Sequence, residues 1–391
     1  MKKIFLFIIF IIAIFFFTLF SSKGNEFLKP KIQNYLQAQM ENNETIEVKE
    51  FNLSLGELSA LIIYNKKTKL KIDGDYSSLF KSFDMKYHLL SDNFKYKKTS
   101  IEEHLDINGT VKGEISDSIL HFKGDAHNKL GDLNFEKSFY NLKEKILEMD
   151  YVLYLHDLSK LKKYTKQNLE GNISIKGHLT KDKKLLVTGE TKDLGGSMTF
   201  TLKEKNMKVN MKNISAQQVM GMLRYPQIFK ASIIGDVNYD LKTKKGIIQS
   251  QLIGVQLLPN NLTNIIKKFN GFDISKEKFD KSQFNANIHD KNIIFEFNAQ
   301  NKTTHIDISK GYLNQSKHTI NARYKIAING RDIGGMIDGN IHDPDISIDS
   351  SQYMRKKVNS VIDEHSDTLK TIGIGEKEQK QVKDFFNSLF Q

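Results

Sequence analysis

Hydrophobic and polar positions alternate with a period of two along most of this chain. In "LDINGTVKG" (residues 105–113), Leu105, Ile107, Gly109, Val111 and Gly113 fall on one side, and Asp106, Asn108, Thr110 and Lys112 on the other. The line returns as "LEGNISIKG" (residues 169–177), with Leu169, Gly171, Ile173, Ile175 and Gly177 on the apolar side, and more loosely as "IIGDVNYDL" (residues 233–241). Such alternation marks a strand with one face in apolar surroundings and the other in water. The three stretches start at even intervals, yet the segments between them differ and a fourth copy starting at Phe297 fails after Ala299, so no repeat is assigned.

The same period runs through "SMTFTL" (Met198, Phe200, Leu202), "MKVNMKNI" (Met207, Val209, Met211), "IIFEF" (Phe295, Phe297), "HIDIS" (Ile306, Ile308) and "RYKIAING" (Tyr324, Ile326, Ile328). Gly, Asn, Asp and Lys fill the gaps, as hairpin turns require. Residues 45–350 are therefore expected to be many short antiparallel strands in series. In "IEVKEFNLSL" the phase slips between Val48 and Phe51, which predicts a bulge or turn there.

A helical period breaks in at few places. "FLKPKIQNYLQAQM" sets Leu28, Ile32, Tyr35 and Leu36 on one face and predicts a helix over 25–40, with Pro30 near its first turn. "SAQQVMGMLR" reads as a short helix from a Ser215 cap to Arg224, with Pro226 beyond its end, and "LPNNLTNIIKKF" as another. The tail, 351–391, is helical throughout in pattern: Met354, Val358, Val361 and Ile362 share one face, and Val382, Phe385, Phe386, Leu389 and Phe390 another. Phe385, Phe386, Leu389 and Phe390 are candidates to touch a membrane or a partner. A plain packed terminal helix explains them equally well.

Ahead of all this, Lys2 and Lys3 precede a run that is apolar from Ile4 to Phe17, with Thr18 the only polar residue before Phe20. At 1.5 Å per residue a helix over 4–20 spans roughly 25 Å, enough for a thin bilayer. A cleaved signal peptide is the competing reading, with Ser22 and Gly24 imitating its small-residue site; the length of the run and Lys23 favour an uncleaved anchor. The two lysines then place a stub, residues 1–3, in the cytoplasm and the rest of the chain across the membrane.

Composition narrows the chemistry. The chain has no Cys, which removes disulfides, thiolate metal sites and thiol nucleophiles. Its net charge of +12 rests on Lys, with Arg only at 224, 323, 331 and 355. Lys is a solvated point charge, so sequence-specific nucleic-acid reading is disfavoured, while solubility or an anionic membrane surface is compatible with the excess. No His pair has the helical zinc spacing, and no nucleophile elbow or phosphate-binding loop occurs. Asp343, Asp345 and Asp349 lack the turn glycine and distal Glu of a calcium loop and read as a strand-edge turn. The glycine pairs Gly195–Gly196 and Gly334–Gly335 open no helix and read as bulges or close strand crossings. No catalytic residue, metal or cofactor is assigned.

The order of features resembles the AsmA-like family, which includes AsmA and TamB, bacterial relatives of bridge-like lipid-transfer proteins. Four stretches carry the resemblance: the N-terminal run with "LKPKIQNYLQAQ" and "IEVKEFNLSL"; "LEGNISIKGHL" followed by "LGGSMTFTLKEKNMKVNMKNISAQQVMGML"; the hairpin "GDVNYDLKTKKGIIQSQL"; and "IDGNIHDPDISID". The patterns are degenerate but cover most of the chain. The resemblance implies a mainly β fold: a transmembrane helix, then a long curled antiparallel sheet, a trough or "β-taco", with few short helices and C-terminal amphipathic helices. It also implies a passive conduit in the periplasm, anchored in the bacterial inner membrane, whose partners are phospholipid, that membrane and other envelope proteins. Ile173, Ile175, Met198, Phe200, Val209, Met211, Phe295 and Phe297 would then line the groove. A trough of 16 to 20 strands at roughly 4.8 Å each is near 75 to 95 Å long. A closed β-sandwich acting as a secreted binding or assembly scaffold is the alternative.

Overall fold

The computed structural model describes residues 20–40, 44–77, 81–92, 94–96, 99–101, 103–114, 116–329, 331–349 and 358–389. Strand makes up 56% of the described residues, as the period-two alternation requires. Contacts divide the chain into two compact units, Met1–Thr191 and Lys192–Gln391. The anchor expected over 4–20 lies, except for Phe20, outside the described residues. Among those residues no helix is long and apolar enough to cross a membrane.

The strands of the first unit are β1 (Ile46–Leu53), β2 (Glu57–Tyr64), β3 (Thr68–Tyr76), β4 (Ser82–Ser91), β5 (Phe94–Tyr96), β6 (Thr99–Ile101), β7 (Leu105–Glu114), β8 (Ile119–His127), β9 (Gly131–Asn141), β10 (Ile146–Leu155), β11 (Ile173–Lys181) and β12 (Leu185–Thr191). The short β5 and β6 pair only with each other. The rest form an antiparallel meander, each strand beside its sequence neighbour and β4 beside β7. In the second unit the meander runs through β13 (Ser197–Lys203), β14 (Asn206–Ser215), β15 (Phe229–Asp240), β16 (Lys245–Leu257), β17 (Lys281–His289), β18 (Asn292–Gln300), β19 (Thr304–Asn314), β20 (Thr319–Ile328), β21 (Arg331–Asn340) and β22 (Asp343–Ile348).

A meander places successive connections at alternate strand ends, so each unit has two rims. On one rim every connection is two to five residues long. The other rim carries all the long insertions: 92–104 and 156–172 in the first unit, 216–228 and 258–280 in the second.

Several local expectations hold. The register of β1 against β2 shifts between Val48 and Glu50, the slip visible in the sequence. Ser215 caps a helix, Ala216–Met222, by accepting from the Gln218 amide, and Asn260 and Thr263 form a capping box on Asn261–Asn270.

Three expectations are corrected. In "LEGNISIKG" the strand starts only at Ile173; Gly171 has a φ of 93°, which breaks the extended chain ahead of it. Asp343 and Asp345 lie within β22 rather than in a turn, because Ile346 and Ile348 hold that segment on the apolar face of β21. The leading helix runs Ser22–Ala38, so Pro30 sits in its interior rather than near its first turn. An interior proline costs about 3 kcal/mol. The helix persists because its side chains bind the free edge of β1. Asn25, Lys29, Gln33 and Gln37, spaced four apart, form one row along it. Asn25 accepts from the Leu53 amide (2.9 Å) and donates to the Leu53 carbonyl (3.2 Å). Lys29 donates to the Lys49 carbonyl (2.7 Å), Gln33 accepts from the Val48 amide (3.1 Å), and Gln37 accepts from the Ile46 amide (2.9 Å). An exposed edge that would recruit another strand is thereby occupied.

Candidate functional site

Antiparallel register puts directly opposed residues on the same face, so the strand pairings assemble the faces residue by residue. In the first unit, Ile72 faces Tyr87, Leu89 faces Leu70 on one side and Ile107 on the other, Val111 faces Phe122, Leu133 faces Leu153, and Leu153 faces Ile175. In the second, Met198 faces Met211, Phe200 faces Val209, Val237 faces Val209 on one side and Ile248 on the other, and Ala286 faces Ile248 and Phe295. Each unit thus carries one apolar face, crossed by every strand of its meander.

All eight residues expected to line a groove lie on these faces, but they are not equivalent. Ile175, Met198, Phe200, Val209, Met211 and Phe295 are half-buried. Ile173 is buried, across from Leu155. Phe297 belongs to a closed core with Leu252, Val255, Ile266, Ile274, Phe279 and Ile326, and its ring stacks on Phe229 with centroids 6.0 Å apart. The insertion 258–280 builds that core by laying Ile266, Ile274 and Phe279, each with no exposed surface, over the inserted rim of the second unit. The apolar face is therefore dry at one rim and half-exposed over the rest of its width.

At several glycines of this face a Cβ would meet both a backbone carbonyl of the neighbouring strand and an aromatic ring that lies across the position. A Cβ on Gly177 would come within 2.6 Å of the Tyr151 ring, whose hydroxyl donates to the Thr188 carbonyl (3.0 Å) one strand further on. Tyr324 crosses Gly335 to the Ser347 carbonyl (3.0 Å) in the same way. Phe295 over Gly311 and Tyr87 over Gly109 share the arrangement. Burial raises the hydroxyl pKa of Tyr87 and Tyr151, and pushes that of Tyr324 up to about 12. These hydroxyls remain neutral donors. Glycine at an apolar strand position was the visible signal, but the ring that covers it belongs to a neighbouring strand.

The opposite face is polar, and in the first unit it carries His–Asp hydrogen bonds. His88 binds Asp106 (3.0 Å), His178 binds Asp150 (2.7 Å), and Asp132 takes both His127 (2.8 Å) and His156 (3.0 Å). The bond to Asp132 raises the pKa of His127. Among the described residues no group of His, Asp and Glu is arranged to hold a metal ion.

One contact crosses from rim to rim. In the insertion 216–228, Tyr225 accepts a hydrogen bond from the Gln315 side chain (3.5 Å), which lies in the short turn between β19 and β20 on the opposite rim. Burial raises the Tyr225 pKa. A straight strand as long as β15 would separate the rims by roughly 40 Å, whereas the four residues from Phe229 to Tyr225 reach at most about 14 Å. The sheet between the two rims must therefore twist or curl rather than lie flat.

In the tail, residues 358–364, Ser366–Thr371 and Glu376–Leu389 are helical. Gln379 ties the last two together, donating to the carbonyls of Ser366 (3.1 Å) and Ile374 (3.0 Å). Phe385 is 59% exposed. The side chains of Phe386 and Leu389, and residues 351–357 and Phe390, lie outside what the structure describes.

Compared with known proteins, the chain matches no family model, no curated protein and no solved structure.

Proposed function

We propose that this protein holds or conducts phospholipid acyl chains along its apolar sheet face, as a non-enzymatic, inner-membrane-anchored component of the bacterial cell envelope. The observation that carries the reading is the unbroken apolar face within each unit, half-exposed across most strands and backed by a polar one. Burying a methylene of an acyl chain is worth about 0.8 kcal/mol, so such a face offsets most of the cost of taking a lipid out of a bilayer. Near-equivalent apolar positions on successive strands favour sliding over trapping. The Tyr225–Gln315 contact, which a flat sheet could not make, supports a trough. In this reading Lys2 and Lys3 stay in the cytoplasm, the apolar run 4–20 spans the membrane and both units work in the periplasm, with lipid and other envelope proteins as partners and no nucleic acid.

A lipid-free scaffold is the second reading, and the dry core around Ile266 favours it locally. Native mass spectrometry with lipid extraction on the detergent-purified full chain separates the two. The transport reading expects co-purified phospholipid, lost in Phe200→Asp while circular dichroism stays unchanged. A folded, lipid-free wild type would sink it. Phe297→Asp is unsuitable for this test, because it places a charge in the closed core.

A further inference from the structure

The insertion 216–228 is built to project one side chain across the second unit. Its helix ends in a reversal: the Tyr225 amide donates to the Met220 carbonyl (2.8 Å) and the Arg224 amide to the Gly221 carbonyl (2.9 Å), with Arg224 in the left-handed region at φ 58°. This is the geometry that usually takes glycine, and it fixes where the next residue goes. That residue is Tyr225, which leaves the inserted rim and meets Gln315 on the rim of short turns. Along the same segment Val219, Met220, Met222 and Leu223 are half-buried, and Ser215 holds the helix start. The segment is thus capped at its start and latched near its end.

We infer that residues 216–228 form a strap across the mouth of the second unit's groove, latched by Tyr225 and Gln315, which a lipid headgroup cannot pass while it is closed. The inference rests on the transport reading above and decides between its two forms, holding and conducting. Acyl chains sit against the apolar face, but a phosphate headgroup must stay in water, since desolvating it unpaired is prohibitive. A lipid sliding along the groove therefore carries its headgroup along the mouth, where the strap lies. With the latch closed, lipid is held; movement along the groove requires the Tyr225–Gln315 contact to open.

The chain has no native cysteine, so crosslinking can be site-selective. Tyr225→Cys with Gln315→Cys is made in the full chain, reconstituted in nanodiscs and joined with a short, thiol-cleavable bis-maleimide. Exchange is read with vesicles of phosphatidylethanolamine and phosphatidylglycerol that carry a fluorescent phosphatidylethanolamine. The expected result is efficient crosslinking, retained bound lipid, exchange slowed at least tenfold, and recovery on cleavage; each single cysteine variant, with the latch unmade, exchanges at least as fast as the wild type. Crosslinking without any change in exchange overturns the gate. Failure to crosslink while both cysteines label singly overturns the strap itself. A wild type that neither binds nor exchanges phospholipid fails the transport reading and the gate with it, whereas crosslink closure still reports separately on the strap.

Discussion

The Tyr324 ring lies so close over Gly335 that a Cβ there would stand 2.6 Å from its hydroxyl oxygen, while that hydroxyl reaches the Ser347 carbonyl on the next strand. The neighbouring glycine is a built-in control, since a Cβ on Gly334 would meet nothing closer than 3.6 Å. Gly335→Ala should destabilise the protein by about 1–3 kcal/mol, the usual range for overpacking. Gly334→Ala should be near neutral. Tyr324→Phe should cost about 1 kcal/mol for the lost hydrogen bond. Urea denaturation of the three variants reads this directly, and equal losses for both glycines would contradict the close packing of Gly335 against the Tyr324 ring and the Ser347 carbonyl.

Phe297 and Phe200 occupy the same apolar face with different surroundings. Phe297 packs in a core whose neighbours Val255, Ile266 and Ile274 are fully buried, so Phe297→Ala should cost about 3–5 kcal/mol. Phe200 is half-buried among Met198, Val209 and Met211, and its truncation should cost well under half as much. Chemical denaturation midpoints of the two variants test the difference. Comparable losses would mean that the face is sealed along its full width.

The strands were legible in the sequence because half-buried strands write their two faces into alternate positions, and the bulge after Val48 showed as a slip of phase. Leu169 and Gly171 misled because glycine fits an apolar period and also permits the positive φ that ends a strand. Pro30 misled for a related reason: the bonds that keep its helix intact go to β1, outside the helix. The groove-lining set was legible as a face, but not its division into sealed and half-exposed parts. That division depends on where the insertion 258–280 folds back. Tyr225 and Gln315 were invisible for the same cause, since their contact joins residues 90 apart without any local pattern.

Asn25 is the buried member of the row that closes the β1 edge, bonded to both backbone groups of Leu53. Asn25→Ala leaves that amide and carbonyl without these partners, an expected loss of about 1–3 kcal/mol. Hydrogen exchange at Leu53 should accelerate, and the edge should become prone to pairing with a second copy. Exchange mass spectrometry and light scattering measure the two effects. Unchanged protection at Leu53 would show that the helix is not what shields this edge.

Asp273 gives the second unit a pH dependence of defined sign. Its carboxylate accepts from the Ser275 hydroxyl (2.6 Å) and from Lys267 (2.9 Å), which comes from the helix Asn261–Asn270 that helps close the core. These bonds, the Ser275 hydroxyl foremost, pull its pKa from 3.8 to about 2. A carboxylate with a lower pKa folded than unfolded binds fewer protons in the native state, so its stabilisation is complete above the unfolded value. It is lost as the pH falls through the folded one. Melting temperatures should therefore hold from neutral pH to about 4 and then decline towards pH 2, on the linkage argument. In Asp273→Asn the starting value should be lower and this part of the decline absent. Parallel melting curves for the two proteins across that window would show that the Lys267–Asp273–Ser275 cluster does not help secure the insertion over the sheet.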